Sequence, residues 1–234
     1  MRIGRKQSPS AEVDHPARLE ARPDPSARGG RVRGLEVFRL DPARESYLYV
    51  SPSYRPGHPG PFVMMLHGAG GNSRKAIGRF LGRADSIGAI LFAPQSAQSS
   101  WDVISGGYGP DVAYIDRALH QLFARYSVDP RRTAVEGFSD GASYALSLGI
   151  TNGDLFRSII ALSPGFVLPG PRHGDPRIFV AHGRADGVLP FRSSATVIVP
   201  RLREAGYDVT FRPHSDGHSP VPRLGEAFEW LSRP

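Results

Sequence analysis

Gly137-Phe138-Ser139-Asp140-Gly141 sets one serine between two glycines, directly after the apolar run "TAVEGF" and directly before "ASYALSLGI". On a strand-turn-helix corner, this spacing holds a serine hydroxyl out on a turn too tight for flanking side chains, where it can serve as a nucleophile. A serine hydroxyl attacks nothing until a base takes its proton, so a histidine has to lie within hydrogen-bond reach. A glycine-rich corner of an ordinary α/β unit is the plainer reading of the pentapeptide, and the surrounding chain decides between the two.

Partners for such a serine occur in a telling order. The segment His67-Gly68-Ala69-Gly70-Gly71 ends the run "PFVMML". Its glycines let backbone approach a substrate closely, and the Ala69 N–H can stabilise an oxyanion together with the Asp140 N–H behind the serine. A phosphate-cradling loop is the competing reading, but both the Lys-Ser/Thr of a P-loop and the full G-x-G-x-x-G spacing are missing. His67 reads as a loop support.

Asp186, just past the run "RIFVAHG", is placed to orient a histidine, although an aspartate before glycine is by itself an ordinary turn residue. "HSDGHSP" supplies two histidines. His218 follows Asp216-Gly217 in a loop, whereas His214 lies nearer a strand and reads as structural, so His218 is the expected base. Serine, aspartate and histidine then follow one another along the chain in one of the known triad orders. His15 and His58 lie in loops, His120 on a helix, and His173 in a Pro/Gly loop.

These residues need elements to hold them. "GLEVFRL" and "ESYLYVSP" read as an opening antiparallel pair. "PFVMMLHG", "AILFAPQ", "TAVEGFS", "SIIALSP", "RIFVAHG" and "DVTFRPH" are short apolar runs of the kind buried on both faces of a sheet. Between them, "DVAYIDRALHQLFARY" carries apolar residues at threes and fours, with Asp111 placed to cap it. "ASYALSLGI", "SSATVIVPRLREAG" and "PRLGEAFEWLSR" read as further helices. Strands alternating with helices predict an α/β fold with a mostly parallel sheet covered on both faces, the working residues lying beyond the strands' carboxyl ends.

The 234 residues, 40% hydrophobic and 22% charged, suffice for one catalytic domain over 31–234. Residues 1–30, rich in Pro, Ser, Arg and Ala, are expected to form a disordered basic tail. That stretch has no apolar core of a secretory signal, and no run is long enough to span a bilayer, so a cytoplasmic protein without membrane insertion is expected. The absence of cysteine excludes disulfides, thiolate metal sites and a cysteine nucleophile. Of the net charge of +7, four units fall within residues 1–34, and the arginine excess follows no helix face interleaved with aromatics; nucleic acid is not an expected partner.

"LHGAGGN", "GFSDGASYAL", "HGRADGVLP" and "DGHSPVP" resemble the carboxylesterase/phospholipase branch of the α/β-hydrolases, and the esterases akin to polyhydroxybutyrate depolymerases. The resemblance covers roughly residues 32–234. It implies an α/β-hydrolase fold without a large cap domain, a triad of Ser139, Asp186 and His218, and oxyanion donors at Ala69 and Asp140. It further implies acyl transfer through an acyl-enzyme on Ser139, with no cofactor or metal and a small-molecule ester as substrate. Those families often carry Gln, Asn or Ala where this chain has Asp140, a carboxylate that would repel anionic substrates or bind a neighbouring arginine.

The linker "VLPGPRHGDP" is too short for a cap and implies an open, shallow site suited to short- to medium-chain acyl esters. Trp101, Tyr108, Phe166 and Val188 are the candidate pocket residues, with Trp101 equally readable as a core anchor for its own loop. The same triad would serve a thioesterase, amidase or peptidase, and a non-catalytic binding protein on this fold is the remaining alternative. The sequence leaves the oligomeric state open.

Overall fold

The computed structural model of the chain describes residues 15–28, 30, 32–168 and 170–233. All eight apolar runs join one sheet. Its strands are β1 (Gly34–Phe38), β2 (Ser46–Val50), β3 (Gly60–Leu66), β4 (Ile90–Ala93), β5 (Val128–Phe138), β6 (Ser158–Leu162), β7 (Arg177–Gly183) and β8 (Val209–His214). The order is β1-β2-β4-β3-β5-β6-β7-β8. The β1/β2 and β2/β4 pairs are antiparallel and every other pair is parallel.

Strand β3 shows why these runs are apolar without alternation. Phe62, Met64 and Leu66 enter one core while Val63 and Met65 enter another on the opposite face. The first core is closed by α3 (Pro110–Arg125), α4 (Asp140–Thr151) and α5 (Val199–Glu204), through residues such as Ile115, Leu119, Ala145, Leu148 and Leu202. The second is closed by α1 (Ser73–Gly78), α2 (Leu81–Ile87) and α6 (Leu224–Ser232), through Ala76, Ile77, Ala84 and Phe228. Burying a large apolar side chain is worth about 1.5–3 kcal/mol, so the double-sided sheet supplies most of the drive to fold. Among the described residues of 163–176 there is neither helix nor strand, and no cap domain is inserted between β6 and β7.

Three expectations need correction. Asp111 does not cap α3. Its carboxylate is buried, pairs with Arg44 at 2.8 Å and accepts the Ala97 and Asp102 N–H groups. Asp102 does the capping instead, accepting from the N–H groups of Gly109 (2.8 Å) and Asp111 (2.9 Å). The expected helix over "SSATVIVPRLREAG" is not uniform either: Ser193–Ile198 winds as a π-helix before α5 begins. Pro200 accounts for the change, because it has no N–H to give and its ring crowds the preceding turn.

The third correction concerns the expected disordered tail. Residues 1–14 lie outside the described residues, but 15–28 form a strap packed across α3 and the end of α4. Ala17, Leu19 and Ala21 are fully buried. Asn152 accepts the Leu19 N–H at 2.8 Å and donates to the Ala17 carbonyl at 2.8 Å. Asp116 accepts the N–H groups of Glu20 and Ala21, and Arg18 and Arg22 both clamp Asp154. The strap has few apolar residues, but they alternate, and its polar backbone finds fixed acceptors.

Candidate active site

The corner between β5 and α4 is sterically closed to all but glycine at two positions. A Cβ on Gly137 would lie 2.0 Å from the Gly141 carbonyl oxygen, and one on Gly141 would lie 2.5 Å from that of His67. Ser139 between them adopts φ 58°, ψ −123°, a region costly for a residue with a side chain. Its N–H donates to the Leu162 carbonyl at 2.9 Å, tying the corner to β6. Below the corner, Glu136 is fully buried and held by Arg79 through two bonds of 2.9 and 2.6 Å; Arg79 also donates to the Leu66 carbonyl. Burial pushes the Glu136 carboxyl up and Arg79 opposes it.

Ser139, His218 and Asp186 form one hydrogen-bonded line. His218 Nδ1 lies 2.7 Å from Asp186 Oδ2, and its Nε2 lies 2.9 Å from Ser139 Oγ. An ionised carboxylate can only accept, so the proton is on Nδ1; Nε2 is bare and accepts from the serine hydroxyl. The other oxygen of Asp186 accepts the N–H groups of Val188 and Leu189, both at 2.9 Å. Burial alone would raise its pKa, but His218 and these two amides outweigh that and hold it below the ordinary carboxylate value. His214 is not in the line; it sits 3.5 Å from Asp216.

The loop after β3 abuts the serine: a Cβ on Gly68 would lie 3.1 Å from that of Ser139. The Ser139 carbonyl accepts the N–H groups of Ala142 and Ser143, and Gly70 and Gly71 donate to Ser99 and Gly68. Among the described residues the N–H groups of Ala69, in the loop that abuts Ser139, and of Asp140, next to Ser139 in the chain, have no such partner. His67 supports this loop as expected. Burial pushes its pKa down, Ser96 N–H donates to Nε2 at 3.2 Å, and Nδ1–H therefore donates to the Gly68 carbonyl at 2.8 Å. Among the described residues the Asp140 carboxylate meets no arginine; it accepts from Ser100 Oγ at 2.7 Å.

The four candidate pocket residues divide. Trp101 is fully buried, stacked on Tyr144 at 5.0 Å and donating to the His67 carbonyl at 2.8 Å, so it anchors the loop after β3 as a core residue. Tyr108 packs beside Tyr144 and His15 with its hydroxyl toward Ser147, two helical turns past Ser139. Phe166 is half-buried in the loop after β6, its N–H on Ser143 Oγ at 3.4 Å, and Val188 is 66% exposed beside Asp186.

Two residues here were not singled out from sequence. Phe138 lays its ring 4.7 Å from that of His218. His182, fully buried, places Nε2 2.9 Å from the Leu189 carbonyl and 3.2 Å from Asp186 Oδ2, with Nδ1 2.7 Å from Ser194 Oγ. Its position four residues before Asp186 at a strand end was the available signal. Among the described residues, the one close group of candidate metal ligands is Glu20, Asp116 and His120 on the outer face of α3, away from this site.

The fold is that of known esterases. The crystal structure of esterase PE8 superimposes with a TM-score of 0.66 at 24% identity, over 85% of this chain and 98% of that one. The family model described as "Putative esterase" matches residues 40–175, more than half of the chain. The chain belongs to this Esterase family. Relatives include "Probable feruloyl esterase C" of Aspergillus niger, 31% identical over 63% of this chain and 57% of the relative. "Feruloyl esterase C" of Emericella nidulans is 28% identical over 66% of this chain and 59% of the relative. The chain thus spans under two thirds of the length of these Esterase relatives. No described helix is long and apolar enough to cross a membrane.

Proposed function

We propose that this chain is a serine carboxylesterase that works through an acyl-enzyme on Ser139. The observation that carries the reading is the line Ser139–His218–Asp186, with bonds of 2.9 and 2.7 Å, built on a corner that only glycine neighbours permit. His218 Nε2 takes the serine proton as Oγ attacks the ester carbonyl. The developing oxyanion is received by the N–H groups of Ala69 and Asp140, and Asp186 stabilises the imidazolium. His218 then protonates the leaving alcohol, and water releases the acid by the same steps with the roles of nucleophile and leaving group exchanged.

The lack of an inserted cap among the described residues of 163–176 supports small to medium acyl groups. The names of the Esterase relatives add ferulate to the esters worth testing. The test is a fluorophosphonate probe with peptide mapping, followed by a panel of acetyl, butyryl, feruloyl and palmitoyl esters. An adduct on Ser139 that is absent in His218→Ala, with butyrate hydrolysed faster than palmitate, is the expected result. A folded protein that takes no adduct overturns the mechanism, and a preference for palmitate overturns the substrate class.

A further inference from the structure

A groove of about 510 Å³ opens at the amino ends of β5, β6 and β7, on the face covered by α2 and α6. It lies at the opposite end of the sheet from Ser139. Ser139 lies seven residue steps along from Arg132, which at strand spacing is roughly 20 Å. Arg131, Arg132, Arg157, Arg177 and Arg233 line it; among the described lining residues the one carboxylate is that of Asp129, which lies 3.5 Å from Arg131. Arginine makes up 27 of the 234 residues but five of the twelve that line the groove, so background composition does not account for the cluster.

Two further features make it a prepared site. Arg177 is held rigid, its guanidinium 4.5 Å over the Trp230 ring and donating to the Arg233 carbonyl at 2.9 Å. Arg177 so frames the groove and adds to its positive field. Ser158 is paired with Arg177 across β6 and β7, so both side chains leave the sheet on the same side. It is 5% exposed, and its hydroxyl makes no hydrogen bond to any described residue. The residue lines the groove, so its hydroxyl is open to a molecule bound there. The floor is apolar, built from Val63, Ile87 and Leu231.

We propose that this groove binds a small phosphorylated molecule with an apolar or aromatic body. Guanidinium forks match phosphate oxygens two at a time, and several converging forks suit more than one phosphate charge. The apolar floor would receive the body, and Ser158 would donate to a phosphate oxygen. A concave site of this volume fits a molecule of nucleotide size. The proposal is independent of the hydrolytic reading, since no residue is shared.

The test is calorimetric titration of the full chain with adenosine diphosphate, with pyrophosphate and with a DNA oligonucleotide, at low and moderate salt. Saturable one-to-one binding of the nucleotide is expected, tighter than that of pyrophosphate. Arg132→Ala with Arg157→Ala should weaken it about tenfold or more, the size of a lost charge-assisted contact. Ser158→Val should also weaken it. The charge-matched pair Arg117→Ala with Arg201→Ala should leave it intact. Unchanged hydrolysis of a small neutral ester and an unchanged unfolding midpoint show that the groove variants are folded. No binding, equal loss in both double variants, or binding of DNA alone overturns the proposal; pyrophosphate binding as tightly as the nucleotide overturns the role of the floor.

Discussion

His182 and His218 approach the same carboxylate oxygen, Asp186 Oδ2, at 3.2 and 2.7 Å. They cannot play the same part. Burial pushes the His182 pKa down, against the pull of the Leu189 carbonyl and Asp186, so it stays neutral. Its Nε2–H serves the Leu189 carbonyl and its Nδ1 accepts from Ser194, which fixes the turn that carries Asp186. His182 is therefore a positioning residue.

His182→Ala should lower kcat roughly ten- to hundredfold with little change in KM, the usual cost of a slightly misplaced reacting group. The His218 Nδ1–H proton resonance should shift with it. Full activity with an unmoved resonance would remove His182 from the site.

Asp186→Asn should be harsher. An amide can donate to His218 Nδ1, which puts the imidazole proton on the wrong nitrogen and leaves Ser139 without a base; the expected fall in kcat is about 10⁴-fold. Because the Asp186 pKa is held below the ordinary carboxylate value, the group remains ionised as pH falls through the ordinary range and protonates only below it. A pH–rate profile that tracks protonation of a carboxylate at its ordinary value would contradict this assignment.

Gly141→Ala tests the corner itself. The added methyl would lie 2.5 and 2.6 Å from the His67 and Leu66 carbonyl oxygens, both backbone atoms that cannot swing aside. Overpacking of this kind costs typically 1–3 kcal/mol. It would also push the oxyanion loop away from Ser139. The expected variant unfolds at lower temperature and loses fluorophosphonate labelling; retention of both would show that the corner tolerates a side chain.

The strands and the three-residue line were legible because each rests on local pattern. Continuous apolar runs such as "PFVMML" announce two-sided burial, and Ser139, Asp186 and His218 each follow one at a strand's carboxyl end. What stayed hidden depends on partners far along the chain. Asp111 beside a helix start looks like a cap until Arg44, 67 residues earlier, is seen to hold it. Trp101 could face substrate or core, and only the Tyr144 ring beneath it decides. The strap was misread by composition: Pro and Arg outweigh its alternating Ala17, Leu19 and Ala21, whose burial depends on acceptors at Asp116 and Asn152.

That strap gives the clearest pH prediction. Burial alone would raise the Asp154 pKa, but Arg18 and Arg22, at 2.6 and 2.7 Å, outweigh it and bring the value to about 2 from an ordinary 3.8. A depressed carboxylate stabilises the fold fully above its unfolded pKa and loses that contribution as pH falls through the folded one. Asp154 should therefore contribute its full share at neutral pH and lose it between 3.8 and about 2. Its side chain is 36% exposed, so solvent screening limits that share to about 1 kcal/mol. Asp154→Asn should unfold at a lower temperature than the parent at neutral pH, with earlier protease cleavage within 15–28. The gap between the two unfolding midpoints should close as pH approaches 2. No gap at neutral pH would mean the strap is held by its buried alanines, Leu19 and Asn152 alone, and a gap that persists unchanged near pH 2 would mean that the Arg18 and Arg22 ion pairs are not its source.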